Sequence, residues 1–237
     1  GFTHWGSQTA AHVFSFGFLV LLNKLLFARA TFVDIVSTLL IGIVILLSGN
    51  RADWIGIIIV YLILQVTSSG FTSKLRNIAV SLTILFLLSG FLPSSILERF
   101  ISGWNGLTGN IELSDSSASI RSERIGYSIQ SITAHSNGIG WGNTGWVHAD
   151  ILQVTQAIGW IGGAALALLL AKSVYNSFRG VIEVHRSVQF LRRNQMLFSC
   201  SFFAMFQFVI NGVYSVPQTG VYVFFFLGLT QLKHIHE

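Results

Sequence analysis

Charge is scarce in this sequence of 237 residues: Asp, Glu, Lys and Arg make up 10% of it, against 52% hydrophobic residues. A globular chain normally carries about a quarter charged residues to cover its surface, so an ordinary soluble domain is excluded. Proline is nearly absent, with two residues in the whole chain, which leaves room for long uninterrupted helices. Cysteine is limited to Cys200, which can close no intrachain disulfide and leaves the redox compartment unreadable. Gly1–Thr9 has neither the basic segment nor the small-residue cleavage site of a signal peptide. The start reads as the middle of a longer protein, so further helices are expected upstream.

What is abundant is apolar sequence. A bilayer core about 30 Å thick needs roughly 20 mostly apolar helical residues. Seven stretches approach that length: 10–28, 31–48, 52–68, 77–93, 151–171, 196–214 and 218–233. Pro93 and Pro217 stand at the end of the fourth and before the seventh, where a residue without an amide donor does no harm. Strands are not expected, because lipid cannot satisfy an open sheet edge. The chain thus predicts an all-α, polytopic transmembrane bundle of about seven spans. Residues 1–93 form the N-terminal helices, 94–150 one long loop and 151–237 the C-terminal helices.

Orientation follows from the basic residues. Alternating the seven spans puts ten of the fourteen Lys and Arg on the side of loops 24–31, 67–76 and 172–195 and the C-terminus. That side is cytoplasmic by the positive-inside rule. The net charge of +5 therefore marks topology, and nucleic acid is not an expected partner. The loop 94–150 then faces outward. It holds five of the nine acidic residues and eight glycines, and Trp104, Trp141 and Trp146 in it are placed to stack on sugar rings. Ile125, Ile129 and Ile132 recur at helical spacing beside a polar stripe of Arg121, Arg124, Ser128 and Ser131. Residues 120–134 read as an amphipathic helix at the membrane surface, capped by Ser119.

Three groups stand out by position. Arg51, in the short outer turn Ser48-Gly-Asn-Arg-Ala-Asp53, either snorkels or pairs with Asp53, or offers its five donors to phosphate oxygens. Arg124 carries the same two readings. His148 sits at the mouth of the fifth helix beside Asp150 and after a glycine turn, where an imidazole can serve as a general base. Gly140-Trp-Gly-Asn-Thr-Gly145 matches a dinucleotide fingerprint in spelling only, since no strand precedes it. Its amides could still approach a diphosphate, or simply make a tight turn. Gly163 and Ala167 form a small-xxx-small pair for helix packing. His4, His12 and His135 are scattered, and no metal site or cofactor is expected.

His148-Ala-Asp-Ile-Leu-Gln-Val-Thr-Gln-Ala-Ile-Gly159-Trp-Ile-Gly162 resembles the signature of the O-antigen ligase/polymerase superfamily, a His followed some ten residues later by Gly-x-x-Gly. Arg124-Ile-Gly-Tyr127 with Gly138-Ile-Gly-Trp-Gly is similar to that family's Arg, aromatic and glycine-turn block, and Ser48-Gly-Asn-Arg51 to its Arg turn. The likeness covers about 48–162 in the family's order. Ala149 stands where the family has a polar neighbour of the His. The resemblance implies a GT-C-like, metal-independent glycosyltransferase in the bacterial inner membrane. It would move a glycan from undecaprenyl diphosphate to a hydroxyl of lipid A core or another glycan at the periplasmic face. Arg51 and Arg124 would hold the diphosphate and stabilise its charge, with His148 acting on the acceptor hydroxyl. Asp150 would orient the His or replace it as base, and Trp141 would help bind substrate. Arg51, Arg124 and His148 should converge on one outward-facing cavity.

A polymerase of the same superfamily is the nearest alternative, followed by a polysaccharide transporter or flippase and a non-catalytic assembly subunit. Transporters place ionisable groups at mid-membrane. Here the predicted helix centres carry none, and their deepest polar residues are Gln153, Gln207 and Asn211.

Overall fold

The computed structural model describes residues 4–48, 50–67, 75, 77–78, 94, 98, 101, 116–144, 147, 149–182 and 188–210. Among these, every regular element is helical: α1 His4–Phe27, α2 Phe32–Ser48, α3 Arg51–Thr67, α4 Ser116–Ala134, α5 Asp150–Ile182 and α6 Val188–Ile210. One turn of 3-10 helix, Trp141–Asn143, lies between α4 and α5. The expected spans 77–93 and 218–233 lie outside the described residues. So does most of the loop before α4. Segments within α1 and α5 are long and apolar enough to cross a membrane, and α2 and α3 are shorter apolar helices.

Local chemistry explains where the first helices begin. Thr31 and Asp34 form a reciprocal cap on α2. The Thr31 amide donates to Asp34 Oδ2 at 2.7 Å, and the Asp34 amide donates to Thr31 Oγ1 at 3.3 Å. Two orphan amides of the first turn are thereby satisfied. Lys24, in the last turn of α1, donates to Asp34 Oδ1 at 2.8 Å and fixes the α1–α2 corner. At the far end of α2, the Asn50 amide donates to Ser48 Oγ at 3.3 Å, turning the chain directly into α3.

Cross-helix hydrogen bonds set the directions. Asn23 on α1 donates to Ser199 on α6 at 2.9 Å, and Asn194 on α6 donates to Gly180 O on α5 at 2.8 Å. The end of α1, the start of α2, the end of α5 and the start of α6 therefore share one end of the bundle. The starts of α1 and α3 and the later turns of α6 share the other. Between them lies an apolar core of Phe16, Leu19, Ile57, Val60, Leu64, Phe203, Ala204 and Phe208. Phe16 and Phe203 meet edge to face, with centroids 5.2 Å apart. Gly56 permits this closeness, since a Cβ there would stand 2.9 Å from the Phe203 ring. The outward sides of α2 and α5 are apolar too, with Phe32, Val33, Leu40, Ile161 and Leu168 all exposed. A monomeric soluble protein seldom exposes so much apolar surface, and a helix bordered by lipid does.

Three expectations are corrected. The span 151–171 is not one straight helix, because the backbone of α5 leaves helical geometry at Gly159 (φ 80°, ψ 179°). The basic stretch 172–195 is not all loop, since α5 runs on to Ile182 and α6 begins at Val188. The amphipathic helix starts at Ser116, so Ser119 lies in its first turn rather than capping it.

Candidate functional site

The break at Gly159 organises the region that carries most of the expected site. On a straight helix, residues eight apart are about 12 Å apart along the axis. Here a Cβ on Gly163 would collide with the side chain of Thr155, so α5 bends sharply between its arms 150–158 and 160–182. A bend leaves carbonyls without partners at the end of one arm and amides without partners at the start of the next. The chain following α4 supplies both. The amides of Ile139 and Gly140 donate to the carbonyls of Gln156 and Ala157 at 2.9 and 3.0 Å, and the Trp160 amide donates to Ser136 O at 3.0 Å.

Only glycine fits where these two backbones touch. Gly138 has φ 85°, and a Cβ on it would lie 2.5 Å from Ala157 O. A Cβ on Gly159 would lie 2.5 Å from Ser136 O. Both glycines thus serve contact as well as dihedral. Inside the turn, the Gly138 amide donates to His135 O and the Asn143 amide to Gly140 O. The amides of 138, 139 and 140 are therefore committed to protein carbonyls. Of the turn Gly140–Gly145, expected either to approach a diphosphate or simply to turn tightly, the amides of Gly140 and Asn143 are thus used within the protein.

Helix α4 is held against the outer arm of α5. Ser128, fully buried, donates to Gln156 Oε1 at 3.4 Å, and Ile132 is buried one turn further on. The helical spacing puts Ser128 on the polar stripe and Ile129 on the apolar one. In fact Ser128 faces α5 and Ile129 is half-exposed. Ile129 instead lines a groove of about 300 Å³ with Ile132, Ile151, Leu152, Trp160 and Ala167, almost wholly apolar.

The expected site residues divide clearly. Arg124 is exposed on α4, one turn before Ser128. Trp141 opens the 3-10 turn, half-exposed. Asp150 is the first residue of α5 and is buried along with Val147 and Ala149. Arg51 opens α3, but its side chain lies outside the described residues, as does His148 entirely. The clasp thus joins the segment containing Arg124 and Trp141 to the helix that Asp150 begins. Because the Arg51 side chain and His148 lie outside the described residues, the expected meeting of Arg51, Arg124 and His148 in one cavity does too.

A second cluster had no place in the sequence reading. His12 on α1 and Asp53 on α3 meet through Nδ1 and Oδ1 at 2.7 Å, and Gln207 on α6 donates to the same oxygen at 2.9 Å. His12 is 3% exposed, Asp53 and Gln207 0%. Asp53 thus joins α3 to α1 and α6 through its carboxylate. Gln207 was recognised as a deep polar residue without a partner in view. The missed signal was one ionisable residue just inside the same end of each of two apolar stretches.

No family model, no curated protein and no solved structure matches this chain.

Proposed function

We propose that the chain is an O-antigen ligase-like membrane glycosyltransferase, transferring a glycan from an undecaprenyl diphosphate carrier to a hydroxyl acceptor at the periplasmic face. In this reading it is a multi-pass protein of about seven spans, GT-C-like, in the bacterial inner membrane. One observation carries it: the clasp at Gly138 and Gly159. The resemblance rests on three separate blocks, and two of them, Arg124 to Gly142 and His148 to Gly162, are hydrogen-bonded backbone to backbone. A broken helix covered by a loop is also the usual way for non-helical backbone to exist at the edge of a membrane, where it lines a ligand site. The apolar groove beside the bend suits the isoprenoid tail of the donor.

The chemistry assigned to the residues is simple. Arg51 and Arg124 bind the diphosphate and stabilise the charge that grows on it as the glycosidic bond breaks. His148 removes the proton of the acceptor hydroxyl, and Asp150 either orients that imidazole or acts as the base itself. Trp141, exposed beside the clasp, offers a face for a sugar ring. The test is transfer by protein purified in lipid, with undecaprenyl diphosphate-linked glycan as donor. His148→Ala should lower turnover by about 10²–10⁴-fold at unchanged abundance, and Arg124→Ala should weaken donor binding as well as turnover. Near-normal transfer by both His148→Ala and Asp150→Asn would end this assignment.

A further inference from the structure

We propose that His12, Asp53 and Gln207 form a proton-binding site inside the bundle, whose ligand is a single exchangeable proton held by the His12–Asp53 pair. It stands on its own observations and does not depend on glycosyl transfer. The hydrogen bonds limit where protons can be. His12 Nδ1 and Gln207 Nε2 both approach Asp53 Oδ1, at 2.7 and 2.9 Å, so Oδ1 accepts from Gln207 and one hydrogen lies between Oδ1 and Nδ1. Asp53 Oδ2 is buried and has no hydrogen-bond partner. Ser15 lies beside the carboxylate, yet gives its hydroxyl proton to Ala11 O at 2.8 Å.

With a neutral imidazole and an ionised Asp53, this arrangement encloses a full negative charge that, among the described residues, two N–H groups on one oxygen and the nearby Ser15 hydroxyl offset only in part. Burying such a charge costs several kcal/mol even after relaxation. One turn away along each helix stand Phe16, Ile57 and Phe203, all buried and unable to answer it. A second proton on the pair, at His12 Nε2 or Asp53 Oδ2, removes the imbalance. The two positions share one site, so the titration belongs to the pair.

Apart from His4 and Arg51, whose side chains lie outside the described residues, the charged groups described on the packed helices are placed elsewhere. Lys24 is paired with Asp34 at the opposite end of α1, and Arg192 and Arg193 are exposed near the start of α6. Lys172 and Arg179 are exposed on the far arm of α5, and Cys200 is two turns from Gln207. His4 and Arg51 open α1 and α3 at the same end as the pair. Ionisable groups enclosed by membrane helices commonly serve as proton relays, and this pair joins three such helices.

The experiment follows the His12 ring by nitrogen NMR in the whole protein, histidine-labelled and held in lipid nanodiscs. His12→Gln identifies its signal among the seven histidines. The wild-type ring should change in one step within a scan from about pH 4 to pH 10, which brackets the range over which protein imidazoles titrate. In Asp53→Asn, whose side-chain oxygen can still accept both N–H groups, that step should be lost. Gln207→Leu keeps both titrating partners but removes one hydrogen bond to a charged group, displacing the midpoint by about tenfold or more in proton affinity. A wild-type ring that never titrates, a step unchanged in Asp53→Asn, or a midpoint unmoved in Gln207→Leu would each overturn the proposal. So would a shift driven by raising sodium from none to about 0.3 M at constant ionic strength, which would make this a metal-cation site.

Discussion

Two regions of this molecule solve the same problem with opposite means. Around α1, α3 and α6 the helices keep their internal hydrogen bonding, and side chains make the joints: Phe16 on Phe203, Asn23 on Ser199, and His12 with Gln207 on Asp53. Around α4 and the bend in α5 the main chain makes the joint. Three amides and three carbonyls cross between the loop 136–140 and residues 156–160. In the first region a buried carboxylate depends on its side-chain partners. In the second there is no room for one additional carbon on Gly138 or Gly159. Such a contrast suits a frame that must persist and a site whose backbone must be placed accurately.

Removing one partner of the buried pair should have the largest effect on stability. His12→Leu leaves the Asp53 carboxylate without its nearest donor, a loss of about 3–5 kcal/mol for a broken buried pair. The double replacement His12→Leu, Asp53→Leu should recover most of it, because no charge then needs an answer. Thermal unfolding of the purified protein in nanodiscs measures both. If the double variant is as unstable as the single, the charge argument for this joint is wrong.

The clasp should fail next, and differently. Gly159→Ala puts a Cβ 2.5 Å from Ser136 O, against backbone that cannot swing aside, and forces φ 80°, ψ 179° on a residue that avoids it. Overpacking and the dihedral together should cost about 3 kcal/mol. Gly138→Ala meets Ala157 O at the same distance and should behave alike. Neither variant alters a charge, yet glycan transfer should fall by about 10²-fold, the usual penalty for a misplaced catalytic group. Full transfer by Gly159→Ala would separate the clasp from the proposed site.

The two regions were also unequally legible. Apolar length was enough to find α1, α2, α3 and α6 to within a few residues at most of the ends the structure describes, and the isoleucine spacing found α4. The bend was not legible, because Gly159 looks like any glycine in a membrane helix until the loop it touches is known. Ser128 was misplaced for a related reason: its partner, Gln156, is 28 residues away in sequence. The glycine motif left two tasks open, since spacing cannot tell an amide that awaits an anion from one already bound to a carbonyl, as that of Gly140 is. His12 and Asp53, 41 residues apart, are the same case in side-chain form.

The smallest expected effect sharpens the contrast because its sign reverses. Gly126 lies inside α4, two residues from Arg124, and a Cβ built on it would have nothing within 4 Å. Its dihedrals are those of an ordinary helix, so nothing in the site requires glycine there. Alanine at such a position restricts the unfolded chain and removes the helix penalty of glycine, a gain of about 0.5–1 kcal/mol. Gly126→Ala should therefore raise the unfolding temperature slightly while Gly138→Ala, twelve residues later, lowers it. If α4 must bend or unwind at Gly126 for substrate to reach Arg124, the same replacement will slow transfer despite the gain in stability. Measuring both quantities on one preparation separates a glycine kept for motion from one that is merely accommodated, and a loss of stability would show that α4 is not the regular helix described.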